Sequence, residues 1–252
     1  MNDGDLTRRT FVKQSALAAV TSLPLASNSE TRSVPASLKI VCVGAHPDDP
    51  ESGCGGTLAR YAALGHAVTI VYLTRGERGI EGKSLDEAAR IRIAECDAAC
   101  RIIGAKPAFF GQIDGATEVT RAQVDAMQRL LATQTPDVLY THWPVDTHMD
   151  HQVASMLTIR AWMNLKTPLL YFFEVDTGSQ TEEFLPNTYV DVSPVLDQKK
   201  RALFAHVSQD GQGIWREHHE VMAQWRGREA GVAAAEAFVH LNRDQTSALP
   251  GI

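Results

Sequence analysis

The sequence predicts an α/β domain on a doubly wound, mainly parallel sheet with helices on both faces. Short, nearly uninterrupted apolar runs recur, as in strands covered on both sides. Helical segments with recognisable start and stop signals alternate with those runs. The densest groups of His and Asp follow directly on two of the runs. In open sheets of this class, the carboxyl ends of the strands are where ligands bind.

Residues 38–45 (LKIVCVGA) form the first run and residues 67–74 (AVTIVYLT) the second. Residues 108–111, 137–142 and 169–175 are candidates for the third, fourth and fifth strands. Ser84 with Glu87 makes a capping box that opens a helix running to about residue 103. Thr120 with Gln123 opens another, to about residue 133, and Gly104 and Pro136 close the two. Residues 151–164 read as the helix after the fourth strand. Beyond residue 186 the pattern changes. A short strand at 189–192 precedes helices near 196–206 and 218–231, and residues 237–241 suggest a further strand. The alternation up to residue 186 is that of a Rossmann-like domain.

Composition narrows the function classes. The chain has 252 residues, 44% hydrophobic and 21% charged, so a substantial core forms and disorder, collagen and coiled coil are excluded as its main class. Twenty-four basic residues against 30 acidic ones leave a net charge of −6, which argues against a phosphate-driven nucleic-acid binder. Four cysteines do not make a disulfide framework. Cys96 and Cys100, four apart on a predicted helix, and Cys42 in a predicted strand read as small buried hydrophobes.

Residues 1–36 stand apart, as an export signal with a disordered linker, ahead of a single catalytic domain over 37–252. Thr7-Arg8-Arg9-Thr10-Phe11-Val12-Lys13 precedes a mildly apolar stretch, residues 15–26, and then a polar segment. That stretch of about 12 residues is too short to span a bilayer, which needs about 20. The paired arginines followed by Phe11 resemble a twin-arginine signal, with cleavage expected near Ala26. Arg8, Arg9 and Lys13 against Asp3 and Asp5 make residues 1–26 one unit positive, so their removal takes −6 to about −7. The expectation is an acidic, exported protein, periplasmic or extracellular, with the twin-arginine machinery as a partner. That route carries folded chains, which suits a protein that takes up a metal before export.

Two motifs carry the chemistry. Ala45-His46-Pro47-Asp48-Asp49-Pro50-Glu51 follows the first strand. Adjacent carboxylates beside an imidazole suit a divalent cation; acidic caps on a helix start are the plainer alternative. The second motif, Thr141-His142-Trp143-Pro144-Val145-Asp146-Thr147-His148-Met149-Asp150-His151, follows the fourth strand and holds three of the nine histidines in ten residues. Neighbouring parallel strands share one rim, so the two motifs can meet in space. His148 and His151 read as functional, and His142 as a satisfied structural histidine.

His46-Pro47-Asp48-Asp49 together with His148-x-Asp150-His151 resembles the PIG-L/LmbE-like zinc-dependent de-N-acetylases. The resemblance takes in Gly55-Gly56-Thr57-Leu58, Leu73-Thr74-Arg75-Gly76-Glu77, and Arg92-x-x-Glu95 with Ile103-Gly104. It also takes in Asp114-Gly115, His206-x-Ser208-Gln209 and Ala235-Glu236-Ala237-Phe238, and so covers roughly residues 38–240.

The resemblance implies one Zn2+ per chain on His46, Asp49 and His151, although affinity order alone does not choose zinc over another divalent ion. It implies Asp48 as the general base. It implies that His148, as imidazolium, stabilises the oxyanion and protonates the leaving amine, with Asp150 orienting its ring. An aspartate of ordinary pKa is a weak base, so desolvation must raise Asp48. Arg92 and Asp114 would contact the sugar. The implied reaction removes an N-acetyl group from an N-acetylglucosamine-type sugar or glycan.

Pro50 stands where many members have Glu, moving the acid to Glu51, which reads as a cap or supporting residue. Asp146 stands where the branch acting on an inositol-linked aminosugar has tyrosine. Arg75, in a loop on the same rim, is a weaker site candidate. His206, at a predicted helix end, reads as a cation on the dipole or a site residue. Gly53-x-Gly55-Gly56 lacks the spacing of a nucleotide loop. Trp215 and Trp225 read equally as core or as a sugar platform. Two other functions compete: a metal-dependent phosphoesterase, which usually recruits more carboxylates, and a non-catalytic sugar-binding protein on the same fold. A homo-oligomer is compatible with the sequence, and no stable membrane span is expected.

Overall fold

Seven strands form one sheet in the order β3-β2-β1-β4-β5-β7-β6 in a computed structural model that describes residues 37–165 and 168–241. The predicted export signal, residues 1–36, lies outside the described residues. The strands are β1 (Lys39–Gly44), β2 (Ala67–Tyr72), β3 (Lys106–Phe109), β4 (Val138–His142), β5 (Leu169–Phe173), β6 (Thr188–Asp191) and β7 (Ala235–Leu241). The helices are α1 (Asp49–Ala63), α2 (Leu85–Ile103), α3 (Arg121–Gln134), α4 (Met149–Asn164), α5 (Leu196–Phe204), α6 (Gly211–Ile214) and α7 (Glu220–Ala230).

The first five strands are parallel, and β7 runs antiparallel between β5 and β6. The continuous apolar runs are explained by burial on both faces. Along β1, Ile40 and Cys42 join Leu58, Ile70, Ile103 and Tyr140 in one core layer. Val41 and Val43 join Val71, Leu131, Leu139 and Leu157 in the other. Successive side chains of a strand point to opposite faces, so two layers arise from one apolar run. Cys42, Cys96 and Cys100 are buried thiols, as expected, and so is Cys54.

Local signals set the helix starts. Ser84 Oγ accepts from Glu87 N at 3.3 Å, and Thr120 Oγ1 accepts from Gln123 N at 3.2 Å. Gly104 ends α2 in the left-handed region at φ 87°, where glycine pays no Cβ penalty. Other boundaries move. α4 begins two residues earlier than expected, at Met149. α5 ends at Phe204, so His206 lies past the helix, fully buried, rather than on its last turn. α7 starts at Glu220, after a π-helical turn over Trp215–His219. β6 lies one residue earlier than expected, and β7 begins two residues earlier.

Helix α1 shows why its pattern was hard to read. Cys54 breaks it, with φ −144° and ψ 15°. The broken ladder turns the N–H groups of Gly56 and Thr57 to Glu236, at 2.8 Å and 2.7 Å. Lys199 Nζ, 2.6 Å from the same carboxylate, balances its buried charge. A Cβ on Gly56 would sit 2.7 Å from Val192 Cγ1, so only glycine allows this approach. Glu236 of the terminal strand thus clamps the helix that begins at Asp49. The described residues belong to one compact unit. Among them, no helix is long and apolar enough to cross a membrane.

Candidate active site

The carboxyl ends of β1 and β4 are neighbours in the sheet, and the loops that leave them meet. Residues nearly 100 positions apart thereby face one cavity of about 400 Å³. His46, Asp48, Asp49, Arg92, Asp114, His148 and His151 are among the residues that line it.

Asp49 is the hinge of the cluster. Its Oδ2 lies 3.3 Å from His46 Nδ1 and its Oδ1 lies 3.3 Å from His151 Nε2. The His46 backbone N–H donates to Asp49 Oδ2 at 2.7 Å, which fixes the loop around that carboxylate. Burial opposes ionising Asp49, yet His151, His142 and His46 outweigh it and hold its pKa well below the carboxylate range. His151 behaves reciprocally: burial would lower it, but Asp49 and Asp146 raise it to about 9. His46 is held well above the ordinary histidine value by Asp114, Asp150 and Asp49, against burial.

Protonated imidazoles therefore supply the positive charge that these buried carboxylates demand, and a divalent cation would replace that charge. The donors fit one. Single ligand atoms of His46, His148 and His151 lie within 4.8 Å of one another, as do those of His46, Asp114 and Asp150, and of Asp49, His142 and His151. Imidazole nitrogen with carboxylate oxygen suits zinc and similar ions. The trio His46, Asp49 and His151 is connected through Asp49, inside a donor set larger than the sequence implied.

Asp48 sits in the left-handed region at φ 119°, a costly conformation for a non-glycine residue. Glu51 Oε2 accepts its N–H at 3.2 Å. Glu51 is itself fully buried, accepts from Tyr72 Oη at 2.6 Å, and lies 3.5 Å from His206 Nε2. The capping role read for Glu51 is thus also a brace for Asp48. Burial raises the Asp48 pKa, and Arg92 pulls it back in part. Arg92 Nη2 lies 3.3 Å from Asp48 Oδ2 and also donates to the Pro47 carbonyl.

Two sequence expectations need correction. Asp150 does not orient His148 with its carboxylate. Its Oδ2 lies 3.0 Å from His46 Nε2 and accepts from Gly115 N at 2.8 Å, and its Oδ1 accepts from Thr117 Oγ1 at 2.6 Å. The backbone N–H of Asp150 instead donates to His148 Nδ1 at 3.2 Å, because His148 caps α4. That bond also corrects the imidazolium expectation. An Nδ1 that accepts carries no proton, so His148 is a neutral ring with its proton on Nε2. Burial, His46 and His151 lower its pKa in the same sense.

Asp146 faces the ring of His151 and only the backbone of His148. Its Oδ1 accepts from His148 N at 2.8 Å and lies 3.1 Å from His151 Nδ1. A carboxylate behind a metal-facing histidine fixes the tautomer and the ring. Asp114 lies 3.3 Å from His46 Nε2 and accepts from Arg78 N at 2.9 Å. His142 Nε2 accepts from Ala45 N at 3.0 Å, and burial and His151 lower its pKa to about 4, so it is a neutral buried histidine, but not the satisfied one expected: its Nδ1 has no hydrogen-bond partner among the described residues. Arg75 pairs with Glu77 at 2.7 Å. Trp215 is buried in a core layer with Val192 and Leu203, whereas Trp225 is 58% exposed.

The sequence reading missed part of the cavity lining, Asp176, Gln180 and His218. Their only local signal was polarity, and their meeting is tertiary.

The chain is similar to known proteins over most of its length. A diacetylchitobiose deacetylase of Thermococcus kodakarensis is 27% identical over 220 residues, 79% of this chain and 82% of that protein. A 4-oxalmesaconate hydratase of Pseudomonas putida is 28% identical over 225 residues, 79% and 84% of the two chains. The crystal structure of the conserved protein TT1542 from Thermus thermophilus superposes with a TM-score of 0.71 at 30% identity, covering 83% of this chain and 97% of that one. The family description "PIG-L: GlcNAc-PI de-N-acetylase" matches residues 41–162, the span from β1 through both motifs. Residues 41–162 of the chain form a PIG-L-type domain.

Proposed function

We propose that this protein is a metal-dependent, zinc-type amidohydrolase that removes the N-acetyl group from an N-acetylglucosamine-type sugar or glycan. The observation that carries the reading is the convergence of both motifs on one buried His/Asp cluster at the shared rim of β1 and β4. Two features of the chain fit it. The family description is that of a de-N-acetylase, and a relative of similar identity is a diacetylchitobiose deacetylase.

His46, Asp49 and His151 would hold the ion. Bound there, it would supply Lewis acidity toward the amide carbonyl and acidify water. Asp48 takes the water proton as the oxygen attacks the amide carbon, and burial raises its pKa toward that task. Arg92 and the Glu51 brace keep its carboxylate in place. His148, neutral and protonated at Nε2, donates a hydrogen bond to the developing oxyanion. A neutral imidazole is a poor acid, so Asp48 returns the proton to the nitrogen as the C–N bond breaks. Acetate and a free amine result. Asp150 and Asp114 back His46, and Asp146 backs His151. Arg92 and Asp114 also border the space for the sugar.

The test is acetate release by zinc-loaded protein from N-acetylglucosamine, its short oligomers, and lipid- or inositol-linked forms. Release that depends on Asp48 supports the reading, and the preferred member names the substrate. The hydratase relative gives a second reading, addition of water to a carbon–carbon double bond. No release from any sugar, with hydration of 4-oxalmesaconate, would replace the first reading with the second.

The place of action is also proposed, from Arg8, Arg9 and Phe11. The protein is exported through the twin-arginine route. Arg8→Lys with Arg9→Lys is expected to leave the precursor in the cytoplasmic fraction, with wild type found outside it. An unchanged distribution of the double variant would rule out that route.

A further inference from the structure

The cavity extends beyond what amide hydrolysis needs. Besides the His/Asp cluster, it is lined by Val175, Asp176 and Gln180 of the loop after β5, and by Ile214, His218 and His219 on the approach to α7. None of these takes part in the proton transfers above.

At the seam of the two segments, His218 Nδ1 lies 2.9 Å from Asp176 Oδ1. A ring nitrogen facing a carboxylate carries the proton, which leaves Nε2 for a ligand. Both residues sit on unusual backbone. Asp176 is in the left-handed region at φ 47°. His218 lies in the π-helical turn Trp215–His219, a geometry that is rare and frequent at functional sites.

Holding the loop against the helix does not require this pair. Arg226 already does so, with Nε and Nη2 each 2.7 Å from the Glu174 carboxylate. The His218–Asp176 side chains are 40% and 17% exposed, and pairs so open to solvent add little stability. What distinguishes this pair is that it faces the cavity.

We propose that His218, backed by Asp176, is a specificity-determining contact that hydrogen-bonds a ring hydroxyl of the saccharide whose acetamido group lies at the His/Asp cluster. The inference rests on the deacetylase reading. A carboxylate-backed imidazole holds one nitrogen in a fixed direction. Hydroxyl epimers differ in direction, so such a group discriminates strongly between sugars.

The test compares wild type with His218→Ala and Asp176→Asn on the best saccharide of the acetate-release panel. His218→Ala is expected to raise KM by about tenfold or more with kcat within about threefold, the signature of lost binding common to ground and transition states. Asp176→Asn should do the same to a smaller extent. Thermal unfolding should shift by no more than about 2 °C. In parallel, saturation-transfer NMR follows N,N'-diacetylchitobiose on Asp48→Asn protein, with and without His218→Ala. The signal should be present in the first and lost in the second. An unchanged KM and NMR signal in the His218 variant, or a fall in kcat alone, would overturn the contact and leave the deacetylase reading standing. Absence of both turnover and NMR signal with His218 intact would overturn the deacetylase reading itself, and this inference with it.

Discussion

Asp48→Asn is expected to lower kcat/KM for acetate release by about 10³-fold, roughly 4 kcal/mol of lost transition-state stabilisation, with the metal still bound. The side chain lines the cavity, is raised in pKa by burial, and is held by Arg92 3.3 Å away. Asparagine keeps the shape and a carbonyl oxygen for Arg92 but accepts no proton. Because the predicted ligands are His46, Asp49 and His151, metal content measured by elemental analysis should not change. A variant working within tenfold of wild type would remove Asp48 from the base role. A variant that also loses its metal would move Asp48 into the ligand set. The Glu51 brace gives a graded control. Glu51→Gln keeps the hydrogen-bond acceptor for the Asp48 N–H and should cost less than Asp48→Asn.

His151→Ala is expected to abolish turnover by a different route, through loss of the metal. One nitrogen of this ring, Nε2, lies 3.3 Å from Asp49 and the other, Nδ1, lies 3.1 Å from Asp146. Removing the imidazole takes a ligand away and leaves both carboxylates without their buried partner. Metal affinity should fall by more than about 100-fold, beyond the 10–100-fold typical of a supporting residue. Asp146→Asn should fall within that supporting range. Equilibrium dialysis against zinc separates the two. Unchanged affinity in His151→Ala would refute the trio and point to the neighbouring group of His46, Asp114 and Asp150, whose ligand atoms also lie within 4.8 Å of one another.

Much of the fold was legible because its signals are local. Two-sided burial writes continuous apolar runs, so β1 to β5 could be read from their residues. The Ser84 and Thr120 caps announced α2 and α3. Helix α1 was harder. Its glycines have low helix propensity, and the break at Cys54 exists to meet Val192 and Glu236, far along the chain. His206 shows the same limit. At the end of a predicted helix it read as a cation on a dipole or a site residue, whereas the helix ends two residues earlier and the chain buries it 3.5 Å from Glu51.

Residue types and strand-end position by themselves determined where the chemistry gathers: His46, Asp48, Asp49, His148 and His151 on one rim of a parallel sheet. Only the tertiary structure decided how the charges are shared. Asp150 and Asp146 lie four apart in one motif, and nothing local tells which carboxylate serves which ring. Capping of α4 turns the Asp150 carboxylate to His46 and its N–H to His148. That single N–H makes His148 a neutral donor rather than a cation. The His218–Asp176 pair was decided in the same way, by the loop after β5 meeting the turn before α7. Secondary structure follows from neighbours in sequence, but the partner of a buried charge is set by whichever loop the fold brings within about 3 Å.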